Sequence, residues 1–193
     1  MGVDIKIVEE PKQPLTMNPK KFAMWLFIVS VVMIFAALTS AYIVRQAEGN
    51  WVYFDLPNLF WVNTAIIIVS SVTMHWAYRA AKRDNLELVK TATIITTVLG
   101  IAFMIGQFLA WKDLVANRIH FVGNPSGSFV YVLSGLHAAH VIGGVVFLLI
   151  LLGSALRFNV HSKNLNPIEM CATYWHFLGG LWLYLFLFLL LNR

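Results

Sequence analysis

Five long apolar runs alternate with short polar stretches along the chain. The runs cover approximately residues 22–44, 59–78, 91–111, 129–156 and 171–191. Each reaches the roughly 20 residues that an α-helix needs to cross the hydrocarbon layer of a bilayer. Lipid offers the backbone no hydrogen-bond partners, so a run that crosses it must be helical. The pattern therefore predicts an all-α membrane protein, a bundle of five transmembrane helices.

The chain is interpreted as one transmembrane domain preceded by a polar segment. Residues 1–21 form the N-terminal segment and residues 22–193 the five-helix domain. The first apolar run is too long for a signal peptide and has no small-residue cleavage site, so it is expected to act as its own insertion signal. Asn18 and Asn166, each followed by proline, are expected to cap the first and fifth helices.

Composition supports the membrane interpretation. Charged residues make up 12% of the chain and hydrophobic residues 59%, and this charged fraction is about half that of a soluble domain. The single Cys171 excludes a disulfide framework and the zinc or iron–sulfur clusters that need several cysteines. The net charge of +5 does not indicate nucleic-acid binding, because the basic residues are scattered over loops rather than gathered in a stripe.

The basic residues instead divide between the two sides of the membrane. Ten lie in the N-terminal segment, the second loop and the fourth loop, and four lie on the opposite side. Cytoplasmic loops carry the excess of Lys and Arg in membrane proteins. The distribution predicts a cytoplasmic N-terminus and a C-terminus outside.

Histidines at membrane depth are the main candidates for chemistry. His137 and His140 lie in the fourth run and His176 in the fifth, whereas no aspartate or glutamate lies at that depth. Carboxylate-based ion translocation is therefore not expected, and the lack of an internal repeat disfavours a transporter built from inverted halves. Hydrogen bonding between helices is the preferred interpretation for these histidines and for Gln107 in the third run.

A haem-b electron-transfer protein is the alternative that the histidines leave open. Haem ligands must face each other at similar depth, and His137 and His176 are expected to lie about 10 Å out of register. His75 and His176 match better in depth and could supply one pair. We expect the chain itself to bind neither metal nor haem.

Small residues form a ridge on the fourth run. Gly135, Ala139 and Gly143 follow each other at four-residue steps, a spacing that allows another helix to approach closely. At 100° per residue the ridge and the pair His137 and His140 point to different sides of the helix. The fourth helix is therefore expected to lie between neighbours.

A basic cluster lies in the loop between the fourth and fifth runs. Arg157, His161 and Lys163 are most often topology determinants and anchors at the membrane surface. The more specific interpretation is a phospholipid headgroup site.

Several motifs resemble, in the right order, the core helices of cytochrome c oxidase subunit III. The segments are Trp25-Leu26-Phe27-Ile28-Val29-Ser30, Asn63-Thr64, Gly106-Gln107, Gly135-Leu136-His137-Ala138-Ala139-His140-Val141-x-x-Gly144, Glu169, Tyr174-Trp175-His176-Phe177 and Trp182. The two histidine motifs are specific only together. The resemblance gives structural roles to Ser30, Asn63, Gln107, His137, His140, Glu169, Trp175 and His176. Val31 and Gly179-Gly180 stand where many relatives carry acids, so the chain departs from the family there.

The resemblance implies an accessory, non-redox subunit of a proton-pumping haem–copper oxidase in the inner membrane of a respiring bacterium. Such a subunit packs directly on the catalytic subunit I, within a complex that also holds subunit II and small subunits. Haem and copper are expected in the partner subunits, and bound phospholipid in a cleft between helices. Many relatives have seven spans, so the chain resembles a short form without the first two.

Overall fold

The structure, a computed structural model, describes residues 18–156 and 165–192. These ranges contain five α-helices. They are α1 (Pro19–Ala47), α2 (Leu59–Lys82), α3 (Leu86–Ala116), α4 (Pro125–Leu156) and α5 (Asn166–Leu191). Each is long and apolar enough to cross a membrane, and each contains one of the five apolar runs. The prediction of an all-α, five-helix transmembrane bundle is confirmed.

The ends of two helices test the capping prediction. The Asn18 side chain accepts a hydrogen bond from the backbone amide of Lys20 at 3.0 Å and caps α1. The predicted Asn166 cap is wrong. The capping position of α5 is Leu165, which makes no side-chain cap bond, because the helix begins one residue earlier than the asparagine–proline rule suggests. Asn166 therefore lies within the first turn itself.

The helices α2, α3, α4 and α5 form a ring, and α1 lies outside it. Around the ring α2 contacts α3, α3 contacts α4, α4 contacts α5, and α5 returns to α2, whereas α1 contacts only α4 and α5 among the described helices. The best-buried side chains belong to the ring, including Phe60, Phe103 and Trp182. The polar residues that the sequence identified on these four helices therefore lie either at the centre of this ring or on its outer faces.

The outer helix α1 is tied to α5 near both of its ends. Lys21 and Glu169 form an ion pair at 2.7 Å. At the other end, the Tyr42 hydroxyl and the Gln46 amide both donate to the carbonyl of Asn192, at 3.0 and 2.9 Å. Most side chains between these ties face away from the bundle, so α1 presents a long surface for lipid or another protein.

Candidate functional site

Two indoles of α5 join it to α2 inside the ring. Trp175 Nε1 donates to Ser70 Oγ at 3.1 Å, and Trp182 Nε1 donates to Thr64 Oγ1 at 3.0 Å. Both tryptophans are 1% exposed. A buried indole N–H needs a partner, and the small hydroxyls of α2 supply one at each level. These bonds fix the register of the two antiparallel helices.

Glycines of α3 and α4 form the slot that receives Trp175. A Cβ atom on Gly100 would lie 2.7 Å from Cη2 of this indole, and one on Gly144 would lie 3.1 Å from Cζ3. The distance at Gly100 is too short for a Cβ atom unless the indole moves, and the distance at Gly144 is tighter than an ordinary van der Waals contact. The two glycines therefore let the helices close tightly around the ring. Trp175 therefore contacts α2, α3 and α4 at once. Gly100 is absent from the sequence-based predictions, and Gly144 appears there only as part of a family motif, although an isolated glycine inside an apolar helix is a known sign of close packing.

The predicted ridge of small residues does not make these internal contacts. Ala139 and Gly143 are exposed on the outside of α4, and a Cβ atom on Gly135 would come no closer than 3.8 Å to Trp111. The opposite face carries His137, which is 0% exposed. The ridge and His137 thus point to different sides, as their spacing predicts. A partner contact at the ridge stays a prediction.

An amide pair bridges α2 and α3 in the same interior. Asn63 is 0% exposed and Gln107 1% exposed, and Asn63 Nδ2 donates to Gln107 Oε1 at 3.4 Å. Gly106 makes room for this pair, because a Cβ atom there would collide with Asn63 Oδ1. Gln107 therefore bonds between helices, as its position predicted.

Among the described residues, neither histidine side chain of α4 is hydrogen-bonded to a side chain of another helix. Neither ring nitrogen of His137 has a hydrogen-bond partner among the described residues, because its neighbours are the rings of Phe103 and Trp182, at centroid distances of 5.9 and 5.2 Å. His140 Nδ1 bonds the carbonyl of Leu136 in its own helix at 2.8 Å. The expected cross-helix bonding is therefore wrong for these two side chains.

A second pair of imidazoles lies on the outer face of the ring, between α2 and α5. The rings of His75 and His176 have centroids 6.1 Å apart, and His176 Nδ1 bonds the hydroxyl of Ser71 across the two helices. His137 instead packs on Trp182, which is about 9 Å further along α5 than His176. The predicted depth mismatch between His137 and His176 is confirmed. Within residues 18–156 and 165–192, no three His, Cys, Asp or Glu side chains are placed to hold a metal ion.

The remaining motif residues lie on α1 and in the first turn of α5. Ser30 is exposed and donates to the carbonyl of Phe27 at 2.7 Å, whereas the neighbouring Val31 is 1% exposed and joins the core. The predicted lipid-binding cluster of Arg157, His161 and Lys163 lies outside the described residues.

Comparisons with known proteins agree with this arrangement of motifs. The family model described as cytochrome c oxidase subunit III matches residues 12–192. Cytochrome c oxidase subunit 3 of Pelomedusa subrufa is 29% identical over 191 residues, which cover 90% of this chain and 70% of that protein. A probable cytochrome c oxidase subunit 3 of Rickettsia bellii is 30% identical over 191 residues, covering 87% of this chain and 67% of that protein.

Proposed function

Because the chain belongs to the cytochrome c oxidase subunit III family, we propose that it is an accessory subunit that stabilises a haem–copper oxidase without performing a redox step. It is a multi-pass membrane protein that works in a complex with other oxidase subunits. Haem and copper would be held by those partners. The complex would reduce oxygen and pump protons, and this chain would keep the catalytic subunit in its active state.

The observation that carries this proposal is that the family-motif side chains hold helices together inside the bundle. Trp175, Asn63 and Gln107 are all buried and all bond or pack between helices. A redox or proton-transfer site needs groups that can meet a cofactor or exchange protons, whereas these groups hold four helices in one arrangement. The interior is therefore that of a rigid scaffold, whose outer surface is available for partners.

Direct contact with the catalytic subunit would use an outer face with small side chains. Ala139 and Gly143 on α4 are exposed, as are Ala37 and Ala41 on α1. Helices associate in membranes by close packing at small residues rather than by the hydrophobic effect. Small outward residues on these two neighbouring helices favour the approach of a partner helix there.

Location, orientation and lipid binding follow from charge and from the relatives. The chain would lie in the inner membrane of a bacterium, with its N-terminus in the cytoplasm, because ten of its fourteen basic residues would then be cytoplasmic. Arg157, His161 and Lys163 would contact a phospholipid headgroup on that side. Anionic headgroups attract such clusters with a free energy of about 1 kcal/mol per basic residue.

The surroundings of His75 and His176 do not favour the haem-b alternative. His75 and His176 are the adjacent pair that it requires. However, both histidines line a groove on the outside of the bundle, and the Trp175–Ser70 bond joins α2 and α5 beside them. The pair therefore does not lie between two helices that face each other across a haem.

Co-purification tests the proposal. An affinity-tagged chain, extracted from its own membrane in mild detergent, should retain the oxidase subunits and their haem absorption. Ala139→Leu should lower the amount of haem recovered, whereas Ala65→Leu, at an exposed position of α2, is the matched control. Recovery of the chain without any haem-containing partner would overturn the accessory role.

A further inference from the structure

A groove on the outside of the bundle, between α2 and α5, has a cavity volume of about 450 Å³. Ile67, Ile68 and Leu183 line its apolar part, and Ser71, His75 and His176 line its polar part. Gly180 also lines the groove and adds no side chain to it, and a Cβ atom there would meet nothing within 4 Å. Ligand sites commonly have this composition, mostly apolar with a few polar groups that fix orientation.

Polarity changes along the groove in the direction of the membrane normal. His75 lies about 10 Å from the end of α2 at Lys82, and His176 about 15 Å from the start of α5 at Asn166. Those two helix ends lie on the same side of the membrane, because α2 and α5 are antiparallel. Ile67 and Leu183 lie about 10–12 Å further towards the opposite side. The groove is therefore polar nearer one membrane surface and apolar near the middle of the bilayer. This order matches a lipid with a polar head and a single apolar chain that lies in one leaflet.

The imidazoles are positioned to hold an anionic oxygen group. The Ser71 hydroxyl bonds His176 Nδ1, which leaves Nε2 as the nitrogen available to a ligand. His75 is exposed, with its ring centroid 6.1 Å from that of His176. None of the described residues that line the groove is acidic. Polar residues that face lipid are costly and usually serve a partner or ligand.

We infer that this groove binds the carboxyl group of a single-chain fatty acid. The two adjacent oxygens of a carboxylate fit between neighbouring imidazoles, and hydrogen bonds to an ionised group are the strong ones. The para carbonyls of a quinone lie at opposite ends of its ring, so this imidazole pair reaches only one of them. The acyl chain lies along Ile67, Ile68 and Leu183.

A second groove of similar size provides an internal control. It lies between α3 and α4, has a volume of about 360 Å³, and is lined by apolar side chains that include Ile101, Phe108 and Ile142. Any apolar chain can enter it, but it offers no imidazole to a headgroup. A carboxyl-specific site and a general lipid surface can therefore be compared within one molecule.

Photolabelling of the whole oxidase complex in lipid nanodiscs tests the inference. The probe is a palmitic acid analogue with a diazirine in its chain, and its methyl ester is the control. Labelled residues are located by mass spectrometry. The acid should label the α2–α5 groove about tenfold more than the ester, as expected for the loss of a charge-assisted hydrogen bond. Both probes should label the α3–α4 groove equally.

Variants of the imidazole pair distinguish the loss of a carboxylate-binding site from a disruption of the bundle. His75→Leu changes an exposed side chain, and together with His176→Phe it should reduce acid labelling of the α2–α5 groove about tenfold. Labelling of the α3–α4 groove should not change, which reports an intact bundle. Equal labelling by acid and ester, labelling that survives the double substitution, or cross-links showing that a partner subunit fills the groove would each overturn the inference.

Discussion

Replacing Gly100 with alanine tests whether the slot around Trp175 holds the bundle together. The new Cβ atom would lie 2.7 Å from Cη2 and 3.2 Å from Cζ2 of the indole. The indole cannot retreat easily, because it is 1% exposed and Gly144 of α4 closes its other side. Any retreat also strains its 3.1 Å bond to Ser70.

The expected loss of stability is about 2 kcal/mol. Overpacking of a close-packed interior costs about 1–3 kcal/mol, and a lost or stretched hydrogen bond costs about 1 kcal/mol. Alanine offsets about 1 kcal/mol of this, because it favours the helix more than glycine does. For a chain of this size, a loss of 2 kcal/mol lowers the midpoint of thermal unfolding by about 4–8 °C.

The measurement is the thermal unfolding of the purified chain in detergent, followed by tryptophan fluorescence. Gly153→Ala is the matched control, since a Cβ atom at this helical position of α4 would meet nothing within 4 Å. The control should keep or raise the midpoint. If Gly100→Ala were as stable as Gly153→Ala, the slot would not determine how α3 and α5 pack.

Three further predictions concern topology, cofactors and the outer face. A C-terminal reporter that is active only in the cytoplasm should remain inactive, because the distribution of basic residues predicts a C-terminus outside; activity would reverse the predicted orientation. The purified isolated chain should show no Soret band, and a band that disappears in His176→Ala would instead establish the haem-b alternative. Ala139→Leu should leave the isolated chain as stable as wild type, because its side chain faces outwards, but should weaken its retention in the oxidase complex; lowered stability of the isolated chain would place the ridge in its own core.

The fold followed from the sequence because each helix contains one long apolar run. Lipid requires such a run to be helical, so length and hydrophobicity were sufficient for the five-helix prediction. The outward direction of Ala139 relative to His137 followed from helical periodicity alone. Depth along a helix was also predictable, as the offset between His137 and His176 illustrates.

The partners of individual polar side chains could not be predicted in the same way. Whether His137 meets an acceptor or an aromatic ring depends on the rotation of α3 and α5, which hydrophobicity does not encode when a helix is apolar all round. The packing role of Gly100 and Gly144 could not be predicted for the same reason. These two glycines differ from Gly143 only in that they lie against Trp175. Ser71 lies beside His176 because of the register between α2 and α5, which the apolar pattern does not specify.

Oxygen consumption over time, by the oxidase with and without this chain, tests the accessory role most directly. The complex without the chain should keep its haem spectra and its initial rate of oxygen reduction, since the proposal assigns the redox centres to its partners. It should then lose activity faster during sustained turnover and pump protons less efficiently, because the scaffold around the catalytic subunit is missing. Immediate and complete loss of oxygen reduction with fully assembled haems would contradict the accessory role, and an unchanged rate and lifetime would contradict the stabilising one.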